Sequence, residues 1–224
     1  MNLLLFVFYN HQPFNMKPHL TQKLEILLLF ILPPILLSIK SIEPWVKLSF
    51  TSVAIIYLII LSIKHRKIIF KNRKQIIPHQ FWPKVAINLL LIFIASYFYI
   101  HYKQPDLLFK SVIEQPLVWL QFLMIYSFIS VVPQEYIYRV FFFYRYQDLS
   151  KNSQIFYIIN ALLFSLAHLF FLNWFVLIFT FIGGYIFAYT YSKTKSWFWV
   201  SIEHAIYGGW LFTLGLGKIL GFPI

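Results

Sequence analysis

Seven apolar runs account for most of this chain. They lie at 24–39, 46–63, 85–101, 116–146, 154–171, 174–192 and 197–214. Six are close to the length that crosses a lipid bilayer, and the longer run 116–146 is interrupted at Pro133, so we expect it to form one long kinked helix or two pieces. A transmembrane helix needs about 20 apolar residues, whereas a strand of a membrane barrel needs only about 10. Inside a bilayer every backbone N–H and C=O must be bonded within the protein, and a helix achieves this by itself. The runs therefore predict an all-α, polytopic transmembrane helix bundle of about seven spans, six to eight.

The amino-acid composition agrees with a membrane protein and excludes every kind of site that needs cysteine. Charged residues make up 12% of the chain, against about 25% in soluble domains. The chain contains no cysteine, which excludes disulfides, thiolate nucleophiles and Cys-His zinc sites. The N-terminal stretch "MNLLLFVFYNHQPF" lacks a basic segment and a small-residue cleavage site, so we expect it to remain in the mature protein.

The cations are concentrated in short loops between the apolar runs. In a seven-span topology with a cytoplasmic N-terminus, 14 of the 19 Lys and Arg residues fall on the cytoplasmic side, and the densest group is 64–75. This asymmetry is the positive-inside rule, so we expect the lipid bilayer, and no nucleic acid, as a partner. Because the chain is rich in Ile, Lys and Phe, as AT-rich bacterial genomes encode, the expected location is the bacterial cytoplasmic (inner) membrane, as a multi-pass protein.

A few ionisable residues interrupt the apolar runs. They are Glu135, Arg139, His168, Glu203 and His204. A charge at the centre of a bilayer costs about 2.5–3.5 kcal/mol on insertion scales, so such residues usually have a function. The competing interpretation is that they hold helices together through hydrogen bonds.

Helical spacing places these residues on shared faces. Glu135 and Arg139 are four residues apart and can pair. In "NALLFSLAH" successive steps of four residues align Asn160, Phe164 and His168. In "EHAIYGG" the aligned pairs are Glu203 with Tyr207 and His204 with Gly208.

These residue types suit hydrolysis of a peptide bond by activated water. A carboxylate and a neutral imidazole can take a proton from water and return it to a leaving amine, and a second imidazole can donate a hydrogen bond to an oxyanion. The sequence contains no G-x-S-x-G and no H-E-x-x-H motif. We expect no cofactor, although a metal ion is compatible with the same residues.

Three short motifs occur in the order and at the spacing that is typical of a known protein family. They read "QEYIYR" at 134–139, "FSLAH" at 164–168 and "HAIYG" at 204–208. Over about 115–215 the chain resembles the CAAX-protease and bacteriocin-processing family of intramembrane proteases, also called the Abi family, which shows EExxxR, FxxxH and HxxxN. The resemblance implies an intramembrane endopeptidase with Glu135, His168 and His204 as catalytic residues. It implies supporting roles for Gln134, Arg139, Asn160, Phe164, Glu203 and Tyr207.

The chain departs from the family pattern at two positions. The first Glu of EExxxR, which in the family activates water together with the FxxxH histidine, is Gln134. The Asn of HxxxN, which in the family joins the third-motif histidine in holding the oxyanion, is Gly208. We predict that Glu135 takes over the role of base, aided by a break in the helix at Pro133. Gln134 would then orient the water or the substrate, and Tyr207 is the predicted replacement donor.

The sequence predicts one domain with three parts: N-terminal spans and a basic cytoplasmic loop at 1–115, the catalytic core at 116–215, and a short tail at 216–224. The expected partner is a membrane-embedded or membrane-anchored protein or peptide substrate, and oligomeric state has no sequence signal. One alternative is a catalytically inactive membrane adaptor or immunity-type binding protein. Another is a haem protein with His168 and His204 as axial ligands, and a third is a small transporter using the buried acids.

Overall fold

A computed structural model gives the fold of residues 20–69 and 79–219. The N-terminal stretch 1–19, the basic residues between 70 and 75 and the end of the predicted tail at 220–224 lie outside the described residues. Within the described ranges all regular structure is helical. Helices α1 to α9 are, in chain order, Leu20–Ser38, Pro44–Ile69, Phe81–Lys103, Lys110–Glu114, Pro116–Arg145, Ser153–Leu166, Trp174–Thr194, Trp197–Leu214 and Leu216–Ile219.

The predicted all-α membrane bundle is confirmed. Judged by length and composition, five segments of the described chain are long and apolar enough to span a membrane: Leu20–Ser38, Phe81–Lys103, Pro116–Arg145, Ser153–Phe171 and Trp174–Thr194. The other two predicted spans are also helices, α2 and α8. The qualifying apolar stretch of α2 is shorter, at Ser52–Lys64, and α8 is made less apolar by Glu203 and His204.

Three successive helices of the 116–215 region begin at a side chain that caps their free N–H groups. Asn152 accepts hydrogen bonds from the first turn of α6, and Asn173 does the same for α7. Ser196 accepts from the backbone N–H of Trp199 at the start of α8. Such caps satisfy backbone donors that have no partner inside the helix. The caps therefore define where each helix starts. For α6 and α8 they also determine how far along the helix His168 and His204 lie.

The proline positions correct one prediction. The run 116–146 is not broken at Pro133, because α5 continues from Pro116 to Arg145. Its helical turns widen to π-helix at Tyr126–Val131 and Tyr136–Phe141, on either side of the proline. A proline removes one backbone donor and crowds the carbonyl four residues earlier, and a π turn is a common way for a helix to absorb such a defect. A similar π segment, Leu27–Ile31, precedes Pro33 and Pro34 in α1.

Close packing positions α6 against α7. A Cβ on Gly184 of α7 would lie 3.1 Å from the Cα of Ala161 in α6, so any larger residue there would push the two helices apart by a few tenths of an ångström. Small residues let membrane helices come together in this way. The contact places the Phe164 ring of α6 beside Phe187 of α7, with ring centroids 6.2 Å apart.

An ion pair between Glu25 and Arg145 joins α1 to the end of α5. Arg145 donates from Nε to Glu25 at 2.8 Å and from Nη2 at 2.6 Å, and both Tyr57 and Tyr146 donate to the same carboxylate. Glu25 is only 9% exposed. The two partners are 120 positions apart in the sequence, so this contact fixes the first part of α1 against the end of α5.

Candidate active site

The first and third motifs meet in a buried carboxylate–imidazole pair. Glu135 of α5 lies 2.8 Å from Nδ1 of His204 of α8, measured at Oε1. Its other oxygen, Oε2, lies 3.1 Å from Nε of Arg139. Both Glu135 and Arg139 have no exposed surface. Two charges are therefore removed from solvent together, and the carboxylate fixes the orientation of the imidazole.

Asn160 links this pair to α6. Its Oδ1 accepts a short hydrogen bond from Nη1 of Arg139, and its Nδ2 donates to the carbonyl of Tyr138 at 2.8 Å. Asn160 has no exposed surface. The amide uses one acceptor and one donor to hold α5 and α6 in register, so the guanidinium is directed at Glu135.

The second motif ends where α6 ends. His168 lies two residues beyond the last residue of α6, and its Nδ1 is 2.8 Å from the carbonyl oxygen of Phe164. Because a carbonyl can only accept, Nδ1 carries the proton, and the neutral ring has its lone pair on Nε2. The side chain is partly exposed. His168 therefore presents a hydrogen-bond acceptor that water can reach.

Aromatic rings hold the two histidines in place. The Phe164 ring packs against both imidazoles, with centroids 4.9 Å from His168 and 5.6 Å from His204. Phe187 stacks on His204 at 4.6 Å. The Arg139 guanidinium lies over the Phe164 ring at 5.0 Å, a favourable cation–π arrangement. All three motifs thus converge around one phenylalanine.

Tyr126 also reaches this cluster, and sequence reasoning did not single it out. Its ring lies edge-on to the His204 ring, with centroids 6.1 Å apart. A Cβ added to Gly208 would overlap the Tyr126 hydroxyl. The only sequence signal was indirect: a glycine where the family has a side chain leaves space that another residue can fill.

Glu203 and Tyr207 face a different set of helices. The Tyr207 hydroxyl donates to Glu203 at 3.0 Å, and Tyr207 as a whole is 3% exposed. Nearby, Nζ of Lys84 donates to the Thr190 hydroxyl at 2.9 Å. These residues join α8 to α3 and α7, so the Tyr207 hydroxyl is engaged away from His204.

Gln134 makes its hydrogen bond within α5. Its Nε2 donates to the Ser130 hydroxyl at 2.7 Å, and its buried Oε1 has no partner among the described residues. Within the described part of the chain, no hydrogen bond joins Gln134 to a histidine. In the same ranges, no group of three or more His, Cys, Asp or Glu residues is arranged to hold a metal ion.

Comparison with known proteins agrees with the resemblance seen in the sequence. Residues 116–210 match a family model described as type II CAAX prenyl endopeptidase Rce1-like. The matched segment contains all three motifs and the whole Glu135–His204 cluster. No curated protein and no solved structure matches the chain.

Proposed function

We propose that this chain, whose residues 116–210 match the model of the Rce1-like type II CAAX prenyl endopeptidases, is an intramembrane endopeptidase. It hydrolyses a peptide bond of a membrane-embedded or membrane-anchored protein or peptide substrate with an activated water. The observation that carries the proposal is the buried 2.8 Å contact between Glu135 and His204, which the Phe164 ring links to His168 by packing against both imidazoles. Burying a charged pair inside a membrane bundle costs free energy, so such a pair indicates a functional site rather than a contact kept for stability.

His168 is the base in this proposal. Its Nε2 takes a proton from water while the water oxygen bonds to the scissile carbonyl carbon. The resulting oxyanion accepts a hydrogen bond from Nε2–H of His204 in its protonated form. When the C–N bond breaks, His168 returns the proton to the leaving amine, so one imidazole serves as base and then as acid.

Glu135 acts through His204. Its two oxygens are occupied by His204 and Arg139 and it has no exposed surface, so water does not reach it in this arrangement. The carboxylate holds Nδ1–H of His204 and balances the charge of the imidazolium. The prediction that Glu135 itself takes the proton of the water stays a prediction, and these contacts favour the positioning role.

The inactive-adaptor alternative rests on Gln134 and Gly208, which lack the base and the amide of the family pattern. The haem alternative would require both imidazoles as axial ligands, yet Nδ1 of His204 bonds Glu135 and its ring stacks on Phe187. The family match favours neither alternative.

Cleavage by the purified protein tests the proposal. The wild-type chain in proteoliposomes is given a farnesylated, fluorophore-labelled CAAX peptide and the same peptide without the lipid, and new termini are identified by mass spectrometry. We expect cleavage by the wild type and none by His168→Ala. The matched control is His101→Ala, an exposed histidine near the end of α3, which should cleave like the wild type. Equal cleavage by wild type and His168→Ala would contradict the proposal.

The proposed orientation is tested separately. Because the loops that carry most cations stay on the cytoplasmic side, reporters fused after Lys74 and after Lys195 should read cytoplasmic. A reporter at Ile224 should read on the opposite side of the membrane. A cytoplasmic reading at Ile224 would contradict the seven-span arrangement and leave an even number of spans.

A further inference from the structure

We infer that Tyr126 is a second oxyanion donor, whose hydroxyl takes the place of the side chain that Gly208 lacks. The inference rests on the proposed function and adds a catalytic residue to it. Its starting point is the geometry at Gly208. A Cβ there would overlap the Tyr126 hydroxyl and come within 2.9 Å of Cε1 of the ring. The phenol therefore occupies the position from which a side chain at 208 would act.

The same position lies next to the imidazole of His204. His204 and Gly208 are four residues apart in α8, so they share one face of the helix. The Tyr126 ring lies 6.1 Å from the His204 ring and 4.8 Å from the Phe212 ring, one further turn along. Packing against Phe212 fixes the ring, so the hydroxyl stays against Gly208, on the face of α8 that His204 shares.

The Tyr126 hydroxyl is available to a substrate. No described residue forms a hydrogen bond with it, and the side chain is partly exposed. By contrast the Tyr207 hydroxyl is bonded to Glu203. A phenol has one O–H donor, so an unengaged phenol beside a charged imidazole can donate to a developing oxyanion.

The π segment of α5 explains how Tyr126 and Glu135 reach the same histidine. They are nine positions apart, which in a regular α-helix at about 100° per residue places them on opposite faces. The π segment Tyr126–Val131 lies between them and changes the angular phase. Consequently Glu135 bonds His204 from one direction while Tyr126 approaches its ring edge-on.

Tyr126→Phe removes the hydroxyl and keeps the ring. We expect kcat on the farnesylated peptide to fall by about 10²–10³-fold, the usual effect of losing one oxyanion donor. KM should stay within about twofold, because the bond forms only in the transition state. The matched control is Tyr99→Phe, a partly exposed tyrosine that stacks on Phe175, which should cleave like the wild type.

Restoring the family arrangement provides a rescue. Gly208→Asn alone should lose activity, since its side chain overlaps Tyr126. In a Tyr126→Ala background the same change has room, and it should raise the cleavage rate at least about tenfold over Tyr126→Ala. If Tyr126 only fills space, Gly208→Asn in this background should not raise the cleavage rate.

Binding of a tetrahedral probe separates this inference from the proposed function and decides it if the Gly208 variants fail to fold. The probe is the farnesylated peptide with its scissile amide replaced by a phosphinate, compared with a planar ketomethylene peptide. Tyr126→Phe should weaken phosphinate binding about 10²-fold and leave ketomethylene binding unchanged. If Tyr126→Phe cleaves the peptide and binds the phosphinate as well as the wild type does, the inference about Tyr126 is overturned and the proposed function still stands. A wild type that neither cleaves nor binds the phosphinate would overturn the proposed function, and this inference with it.

Discussion

Glu135→Gln is expected to lower kcat by about 10⁴-fold, the size of effect seen when the carboxylate partner of a catalytic histidine becomes an amide. The substitution keeps the shape of the side chain and removes its charge. A glutamine offers one acceptor oxygen in place of the two that contact His204 and Arg139. The negative charge that balances the His204 imidazolium is lost as well. The measurement is the rate of peptide cleavage in proteoliposomes at saturating substrate.

Glu25→Gln is the matched control for this variant. Glu25 is also an acid paired with an arginine inside the bundle, at 2.6 Å from Arg145, but among the described residues no histidine forms a hydrogen bond with it. We expect this change to affect stability and to leave the cleavage rate within a few-fold of wild type. A Glu135→Gln protein that retains a tenth of the wild-type rate would contradict the role given to Glu135.

Arg139→Met is expected to destabilise the folded protein by about 3–5 kcal/mol, the usual cost of leaving one partner of a buried ion pair alone. Glu135 has no exposed surface, so without Arg139 its charge has little access to water and keeps His204 as its remaining charged partner. Asn160 also loses the donor to its Oδ1. Reversible unfolding in mixed micelles measures the change in free energy.

The chain offers an exposed pair with the same spacing as the control. Lys110 and Glu114 lie 3.8 Å apart at i,i+4 with side chains 43% and 57% exposed, so Lys110→Met should cost less than about 1 kcal/mol. Combining Arg139→Met with Glu135→Gln removes both buried charges and should recover most of the lost stability without restoring cleavage. A single Arg139→Met protein as stable as the wild type would contradict the assignment of a buried pair.

Hydropathy and helical spacing predicted much of this molecule. The apolar runs predicted the helices, since a chain in lipid has few other ways to bond its backbone. Spacing of four residues predicted the pairing of Glu135 with Arg139, because that contact lies within one helix. The charge cost of the bilayer singled out His204 and Glu203 as well, although Glu203 pairs with Tyr207 and does not contact Glu135 directly.

Contacts between helices could not be predicted in the same way. Helical spacing does not specify how far each helix is rotated toward its neighbours. It therefore predicts neither the approach of Tyr126 to His204, which only the glycine at 208 indicates, nor that of Glu25 to Arg145. The π segments add to this uncertainty, because each one shifts the phase of all residues beyond it. Pro133 predicted an irregularity, but whether the helix would stop or widen depends on packing, including the bond from the Trp197 indole to the carbonyl of Val132 at 3.1 Å.

The central claim is that this chain cleaves peptides with a glutamine at position 134. The most direct test compares the cleavage rates of wild type, His168→Ala and Gln134→Glu on the same farnesylated peptide and its unprenylated form. The account predicts measurable cleavage by the wild type, none by His168→Ala, and a Gln134→Glu rate within about tenfold of wild type, since a base is already present. A silent wild type together with an active Gln134→Glu protein would contradict the account and identify the chain as a pseudoprotease.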